Sequence, residues 1–291
     1  MLPELDECVV KERIAKRIAL EFTEGQVVNL GIGIPTLVSD YIPEGVHIIF
    51  QAENGAIGVG PAPAEPDLRC IGAGGRIISI LPGGSFFASD TSFGLIRGGH
   101  VDATVLGTLE VSQTGDIANW VVPGKSVPGM GGAMDLVVGA KKVYIATTHT
   151  TKKGAAKILK KCTLPLTAVG VASMVVTEFA VFTIENGRMT LIEKSPEVTL
   201  EPLVTARRNR GTAGVHVFAA PLALGPGRQP QGFGFVPPGA PPFSHGVLFI
   251  KAFNLSLLNI FRRPRIKEGR CWLGGRHLKK KKKMKTKVDT G

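Results

Sequence analysis

Apolar residues near the start of this chain recur first with helical spacing and then with strand-like spacing. Four of them lie one helical turn apart with charged residues between them and predict an amphipathic first helix: Val10, Ile14, Ile18 and Phe22. The apolar runs at residues 26–30 and 46–50 are short and each follows a glycine, so they predict two buried strands. Pro35 suits the first turn of a helix between these strands.

The same alternation continues through residue 160. Further strand-like runs lie at residues 76–81, 101–106 and 142–147, and helices are predicted over residues 89–96 and 153–160. Strands that alternate with helices predict an α/β fold, an open and mostly parallel sheet flanked by helices. The pattern then changes to polar/apolar alternation on both sides of an Asn-Gly pair at residues 186–187, which predicts a β-hairpin.

A change in composition predicts a boundary near residue 207. Residues 208–245 contain seven prolines and seven glycines without a repeat. Such a segment cannot bury enough apolar surface to offset the entropy lost on ordering. We therefore expect a folded domain at residues 1–207 and a disordered or aberrant tail at residues 208–291. A frameshift, a fusion or a gene-model error would explain such a tail.

The net charge of +12 comes from this tail. Residues 208–291 carry 17 of the 35 Lys and Arg but only 2 of the 23 Asp and Glu, so the preceding part is mildly acidic. The lysine run at residues 279–283 is compatible with a nuclear signal, a nucleic-acid contact, a membrane-surface anchor or, more commonly, a solvated tail. No aromatic stacking platform or reading helix accompanies it, so we expect no nucleic-acid partner.

The cysteines and the ends of the chain indicate a cytoplasmic protein. The four cysteines are scattered and have no metal-ligand spacing, which suits a reducing compartment. The N-terminus is acidic and lacks the apolar core of a signal peptide. The longest apolar run, residues 247–261, is interrupted by a lysine and two asparagines, so we expect no membrane span.

Glu53 is the strongest candidate for chemistry. It follows a predicted buried strand and opens the tripeptide Glu-Asn-Gly, which occurs again at residues 185–187. The second copy is predicted to be a hairpin turn. The first is followed by a glycine-punctuated segment, residues 56–61, which we expect to be a loop with no return strand. Such a position suits a reactive group, because open α/β sheets place their sites outside the carboxyl ends of the strands.

Several other candidates also have plain structural interpretations. The Gly131-Gly132 pair is compatible with a helix-entry turn that needs close packing. The loop at residues 31–35 lacks the third glycine of a dinucleotide fingerprint and the Gly-Lys-Ser/Thr of a P-loop, so a tight strand-to-helix turn explains it. His100 and His149 are interpreted as structural histidines.

Sequence blocks extending over residues 8–206 resemble family I coenzyme A transferases. The first block is residues 53–61, and the others follow in family order: residues 81–87, 96–102, 115–120, 123–125, 129–136 and 161–167. The likeness is to the B (β) subunit, or to the second half of the fused 3-oxoacid enzyme. Two positions depart from the family pattern, namely Ala52, where serine is common, and Gly75, where some members have lysine near CoA.

The resemblance implies an enzyme that moves CoA between short-chain or 3-oxo acids. Glu53 would be the nucleophile that forms a glutamyl-CoA thioester, and Gly132 the backbone donor to the oxyanion. A glutamate is ionised at neutral pH and needs no general base. It is a weak nucleophile, so stabilisation of the tetrahedral oxyanion is required. The alternative is a non-catalytic subunit that binds only acyl-CoA or anionic partners.

The resemblance also implies the surroundings of the site. Asn29, Gly31, Asn54 and Gly131 are assigned to substrate or CoA binding. No metal and no cofactor are expected, because CoA is itself a substrate. An A (α) subunit is expected to complete the site, in a heterodimer or an α2β2 assembly.

Overall fold

An open nine-stranded sheet organises the residues that the computed structural model describes, which are residues 2–124, 129–200 and 203. These residues contain twelve strands, numbered in chain order: β1 Val27–Leu30, β2 Ile49–Ala52, β3 Ala56–Gly60, β4 Ser79–Phe86, β5 Ala103–Leu106, β6 Glu110–Ser112, β7 Ile117–Ala118, β8 Lys142–Ala146, β9 Ile158–Leu159, β10 Met174–Val176, β11 Ala180–Glu185 and β12 Arg188–Lys194. The main helices are α1 Glu7–Ala19, α2 Ser89–Arg97 and α3 Ala133–Gly139, and a 3-10 helix spans Pro35–Tyr41.

The centre of the sheet is parallel and both of its sides are antiparallel. The strand order is β12-β11-β10-β8-β5-β1-β2-β3-β4. The five strands from β10 to β2 are parallel, whereas β11 and β12 on one side and β3 and β4 on the other are antiparallel. A separate small sheet contains β7, β6 and β9. The predicted α/β class, with an open and mostly parallel sheet, is confirmed.

Helices cover both faces of the parallel strands. Ile14 and Ile18 of α1 are fully buried on one face, in a cluster that includes Val28 of β1. On the other face, Ile96 of α2 and Leu136 of α3 are buried in one cluster. The central strands are therefore buried on both faces, as is typical of parallel strands, and the face that α2 covers also holds the buried polar residues Asn29 and Gln51.

Charged pairs join α1 to β12 and to the segment that follows it. The Arg17 guanidinium donates to Glu193 of β12 and to Glu21, the latter at 2.6 Å. Arg13 binds both carboxylate oxygens of Glu197, at 2.8 and 3.1 Å. The first helix is thus held by packing against the sheet and by ion pairs at its rim.

The predicted helix over residues 153–160 is wrong. Gly154 has a φ of 77°, and its N–H donates to the Thr151 carbonyl, so the chain makes a turn there. The Lys157 N–H then donates to the His149 carbonyl, and β9 pairs with β6. Tertiary pairing outweighs the helical propensity of this Ala- and Lys-rich stretch.

The other predicted elements are present with shifted ends. The strand expected at residues 46–50 is β2, Ile49–Ala52, and the one expected at residues 76–81 begins at Ser79 and continues to Phe86. The hairpin at residues 186–187 is confirmed, with left-handed φ values of 52° and 69° at Asn186 and Gly187.

The proposed boundary at residue 207 and the tail at residues 208–291 lie outside the described residues. Within the described part, none of the helices combines the length and the apolar character needed to cross a membrane.

Candidate active site

The tripeptide Glu53-Asn54-Gly55 closes a tight hairpin between β2 and β3. Ala52 pairs with Ala56 on the returning strand, and the Gly55 N–H donates to the Ala52 carbonyl at 3.0 Å. The expectation that no strand returns after Glu53 is therefore wrong. The glycines of residues 56–61 do not prevent pairing, because a left-handed Gly58 absorbs the irregularity where β3 meets β4.

The two Glu-Asn-Gly turns differ in the edge of the sheet at which they lie. Strand β2 is parallel to β1, so the Glu53 turn follows the carboxyl ends of the parallel strands. Strand β11 is antiparallel to β10, so the turn at residues 185–187 lies at the opposite edge. Because sites in open α/β sheets form at the carboxyl edge, topology favours Glu53 over Glu185 as a reactive group.

Only glycine fits at position 55. Its φ is 120°, and a Cβ atom there would lie 2.1 Å from the Phe87 carbonyl oxygen. The Phe87 N–H donates to the Gly55 carbonyl at 3.0 Å. The turn that carries Glu53 is thus packed directly against the segment that leads into α2.

A buried amide holds one oxygen of the Glu53 carboxylate. The Asn29 Nδ2 donates to Glu53 Oε2 at 3.1 Å, and Asn29 itself is 1% exposed. The same Nδ2 donates to the side-chain oxygen of Gln51 at 2.8 Å and contacts the Gln51 carbonyl at 3.2 Å. Gln51 in turn donates to the Ser92 hydroxyl at 2.8 Å. A chain of hydrogen bonds between side chains from α2, β2 and β1 therefore ends at the predicted nucleophile.

Gly132 lies directly against Glu53. A Cβ atom on Gly132 would be 3.0 Å from the Glu53 Cγ and 3.4 Å from the Phe93 ring. Gly132 precedes α3, and its carbonyl accepts the Leu136 N–H at 3.0 Å. The structure thus brings together the two residues predicted to be catalytic, with a glycine where any side chain would crowd the carboxylate.

The remaining predicted residues contact other groups. Gly131 has a φ of 56° and open space around it, which suits a turn into α3. The Asn54 Nδ2 donates to the Ile71 carbonyl at 2.7 Å and so holds a neighbouring loop. A Cβ on Gly31 would lie 3.0 Å from both the Leu106 side chain and the Val105 carbonyl, so glycine is needed there for close packing. Their assignment to CoA binding stays a prediction.

Sequence reasoning missed Gln51, Ser92 and Phe93. Gln51 is 4% exposed, but it lies one residue beyond the strand predicted at residues 46–50, and it is buried because β2 continues to Ala52. Ser92 is fully buried on α2, and Phe93 is the next residue along that helix. Only the packing of α2 against the sheet reveals that both face the Glu53 region.

Two titratable side chains away from this site, those of His149 and Cys162, have pKa values that burial shifts. His149 is 2% exposed, its Nδ1 lies 3.2 Å from the Thr177 hydroxyl, and burial lowers its pKa to about 4. Burial also raises the pKa of the Cys162 thiol to about 12, which keeps that thiol protonated. Among the described residues, no group of three or more His, Cys, Asp and Glu side chains is arranged to hold a metal ion.

The family model and the relatives that match this chain are named for the transfer of coenzyme A. Residues 11–206 match the family described as Coenzyme A transferase. The chain is 57% identical over 184 residues to the beta chain of the acetate CoA-transferase of Escherichia coli (strain K12), a match that covers 63% of this chain and 84% of that one. It is 50% identical over 194 residues to the B component of the succinyl-CoA:3-ketoacid coenzyme A transferase of Helicobacter pylori, covering 66% and 93%.

Solved structures share the fold at lower sequence identity. An acyl-CoA transferase apoenzyme from Escherichia coli O157:H7 superimposes with a TM-score of 0.52 and 23% identity, and this chain spans only 41% of that longer enzyme while 68% of this chain is covered. Glutaconate coenzyme A-transferase from Acidaminococcus fermentans gives a TM-score of 0.51 at 18% identity, covering 67% of this chain and 83% of that one.

The family match includes the carboxylate, the buried amide and the glycine that meet at the carboxyl edge of the sheet. This chain therefore belongs to the coenzyme A transferase family.

Proposed function

We propose that this chain is the β-type component of an enzyme that transfers CoA between an acyl-CoA and a short-chain or 3-oxo acid through a glutamyl-CoA thioester on Glu53. The observation that carries the proposal is the contact of the Glu53 side chain with both Asn29 and Gly132, at the carboxyl edge of the parallel strands. Coenzyme A is a substrate in this scheme, and no further cofactor takes part.

The first half-reaction begins with attack by a free carboxylate oxygen. Asn29 holds Glu53 Oε2, so Oε1 attacks the thioester carbonyl of the acyl-CoA and the C–S bond breaks. The products are an acyl–glutamyl anhydride and CoA thiolate. The thiolate then attacks the Glu53 carbonyl, which releases the first acid as its carboxylate and leaves the glutamyl-CoA thioester.

The second half-reaction reverses these steps. The carboxylate of the acceptor acid attacks the glutamyl thioester and expels CoA thiolate, forming a new anhydride with Glu53. The thiolate attacks the acceptor's acyl carbonyl, giving the new acyl-CoA and free Glu53. Charge is conserved at each step, because every attack by an anion releases another anion, so no general base is needed.

Gly132 is proposed to supply the backbone N–H that stabilises the tetrahedral oxyanions. Preorganised backbone donors commonly make the largest contribution to acyl-transfer catalysis, and removal of one costs about a hundredfold or more in rate. A residue without a side chain lets the peptide approach the reacting carbon. The 3.0 Å between the Glu53 Cγ and a would-be Cβ on Gly132 supports this role.

The substrate class is proposed from the relatives. Those at 50–57% identity are named for acetate and for succinyl-CoA with 3-ketoacids. We therefore propose acetyl-CoA or succinyl-CoA as donor and a short-chain or 3-oxo acid, such as acetoacetate, as acceptor. Ala52 and Gly75, which depart from the family pattern, leave the carboxylate and its contacts in place.

An A (α) subunit is proposed to complete the site, because the relatives are named as the beta or B components of their enzymes. Exposed apolar side chains on and beside the loop that Asn54 holds support a partner surface. Ile71 of that loop is 45% exposed, and Leu68, three residues earlier, is 74% exposed. Ile32, whose side chain would lie 3.6 Å from a Cβ on Gly74, is 73% exposed. Exposed apolar side chains that cluster on neighbouring loops are typical of interaction sites.

The test is CoA exchange between succinyl-CoA and acetoacetate by the purified complex of this chain with its α subunit, the α–β complex. Glu53→Gln should abolish exchange, because the amide cannot form the anhydride. Glu185→Gln is a matched control, since it changes the glutamate of the other Glu-Asn-Gly turn, and it should retain full activity. Exchange by the Glu53→Gln complex would overturn the proposal, and a wild-type complex that binds acyl-CoA without exchange would favour the non-catalytic alternative.

A further inference from the structure

A row of three buried polar side chains ends at the Glu53 carboxylate. Asn29 and Gln51 are register partners on β1 and β2, and both side chains lie on the sheet face that α2 covers. Ser92, from α2, is fully buried at the end of this row. Three buried polar residues in a sheet interior are costly unless each finds a partner.

The hydrogen bonds along this row run in one direction. The Ser92 oxygen accepts from Gln51 Nε2 at 2.8 Å, and the Ala52 carbonyl oxygen lies 3.5 Å from the Ser92 hydroxyl, for which it is the available acceptor. The Gln51 side-chain oxygen consequently faces Asn29 and accepts from its Nδ2 at 2.8 Å. The same Nδ2 donates to Glu53 Oε2. An N–H, rather than a carbonyl oxygen, therefore meets the carboxylate.

We propose that Ser92 is a positioning residue for the reaction, which acts through Gln51 and Asn29 to direct an N–H at Glu53. The inference rests on the proposed function of Glu53 and adds a role for α2 to it. By binding the amide nitrogen of Gln51, Ser92 sets which way that amide points. Gln51 then presents an acceptor to Asn29, and Asn29 fixes one oxygen of the nucleophile.

Loss of the Ser92 hydroxyl should remove the constraint on the orientation of the Gln51 amide. In Ser92→Ala the buried Gln51 Nε2 has lost its acceptor, an unfavourable state for a buried donor. Rotation of the Gln51 amide to find another acceptor turns its NH2 group towards Asn29, so that two donors face each other. The Asn29 N–H then no longer holds Glu53 in one place.

The effect should appear in the chemical step and not in binding. Ser92 has no exposed surface, so it cannot touch a substrate. Ser92→Ala in the α–β complex should slow formation of the Glu53 thioester about tenfold or more, because small losses of alignment reduce rates steeply. The KM for acyl-CoA should stay within about twofold of the wild-type value, since only the orientation of the nucleophile changes.

A double-mutant cycle separates positioning from packing. Gln51→Met preserves the length of the side chain but breaks the row, so it should slow thioester formation by a similar factor. Ser92→Ala should then cause no further loss in the Gln51→Met background, because the two residues act through one chain of hydrogen bonds. Equal losses in both backgrounds would show that Ser92 acts by packing alone and would overturn the proposal.

Thr104→Val is the matched control. Thr104 is fully buried on β5 in register with Asn29, and its hydroxyl has no hydrogen-bond partner among the described residues. Its replacement removes a hydroxyl that makes no hydrogen bond to the described residues, so no bond is lost and the rate of thioester formation should stay within about twofold of the wild-type rate.

The rates of thioester formation are measured by rapid quench of the α–β complex mixed with succinyl-CoA, and this measurement also separates the two proposals. If the wild-type complex forms no thioester on Glu53, the proposed function fails. If it forms the thioester and Ser92→Ala forms it at the same rate, the proposed function stands and the role of Ser92 is refuted.

Discussion

At the scale of single residues, the turn that carries Glu53 and the space around its side chain depend on two glycines, Gly55 and Gly132. Gly55 makes the turn possible, because its backbone conformation and the nearby Phe87 carbonyl both exclude a side chain. Gly132 has an ordinary φ of −80°, so only its closeness to Glu53 and Phe93 requires glycine. We infer that the first glycine serves folding, whereas the second serves the proposed site.

Gly55→Ala should lower the free energy of unfolding by at least about 2 kcal/mol, because it combines backbone strain with an overlap against a backbone oxygen. Gly83→Ala is the control. Gly83 also has a left-handed φ, of 88°, but nothing lies near it, so its replacement should cost only about 1 kcal/mol. Urea unfolding measures both variants, and equal losses would contradict the role given to the Phe87 contact.

Gly132→Ala should have the opposite profile, with a nearly unchanged unfolding midpoint and a rate of CoA exchange reduced about tenfold or more. The added methyl group displaces the Glu53 side chain without straining the backbone. Gly94→Ala on α2, where a Cβ meets open space, should leave exchange unchanged. Full activity of Gly132→Ala would show that the closeness of these two residues has no catalytic consequence.

The buried His149 should make stability depend on pH. Burial lowers its pKa to about 4 in the folded protein, while an unfolded histidine titrates near a pKa of about 6.5. Between these values the unfolded chain binds more protons, so stability falls as the pH drops from about 6.5 to 4, by up to about 3 kcal/mol. Burial raises the pKa of the adjacent Glu178 carboxyl, which acts in the opposite direction.

Comparison with His149→Phe isolates the contribution of the histidine, because Glu178 is present in both proteins. The free energy of unfolding, measured in urea between about pH 4.5 and 7, should rise more steeply with pH in the wild type than in the variant. Parallel curves would contradict the burial of a neutral imidazole at this position.

At the scale of elements, periodicity predicted most strands and helices, but it did not identify their partners. The helical spacing of α1 and the apolar runs of β1, β5 and β8 are local features, so the sequence carried them. The return strand β3 was missed because its five residues include two glycines, and its pairing with β2 and β4 depends on distant residues. The failed helix at residues 153–160 has the same cause, since β6 supplies the partner of β9.

At the scale of the whole molecule, the topology of the sheet places the two Glu-Asn-Gly tripeptides at opposite edges. The direction of β11 relative to β10 puts Glu185 at the edge opposite to Glu53, and no local pattern encodes that direction. Glu53, Asn29 and Gly132 could be predicted from the sequence by family resemblance. Gln51, Ser92 and Phe93 could not, because their roles depend on how α2 packs over β2.

The isolated chain should be inactive, because a second polypeptide is proposed to complete the site. Titration with the purified α subunit should produce CoA exchange that saturates at a fixed ratio of the two chains, with co-sedimentation at the same ratio. Full exchange by this chain alone would contradict the need for a partner.

The most direct test of the central claim is to locate the covalent intermediate. The α–β complex is treated with succinyl-CoA and then borohydride, which reduces a glutamyl thioester to the primary alcohol, and its peptides are sequenced by mass spectrometry. We expect the alcohol at Glu53 and an unmodified Glu185. Active complex with an unmodified Glu53, or with the alcohol on another residue, would contradict this expectation.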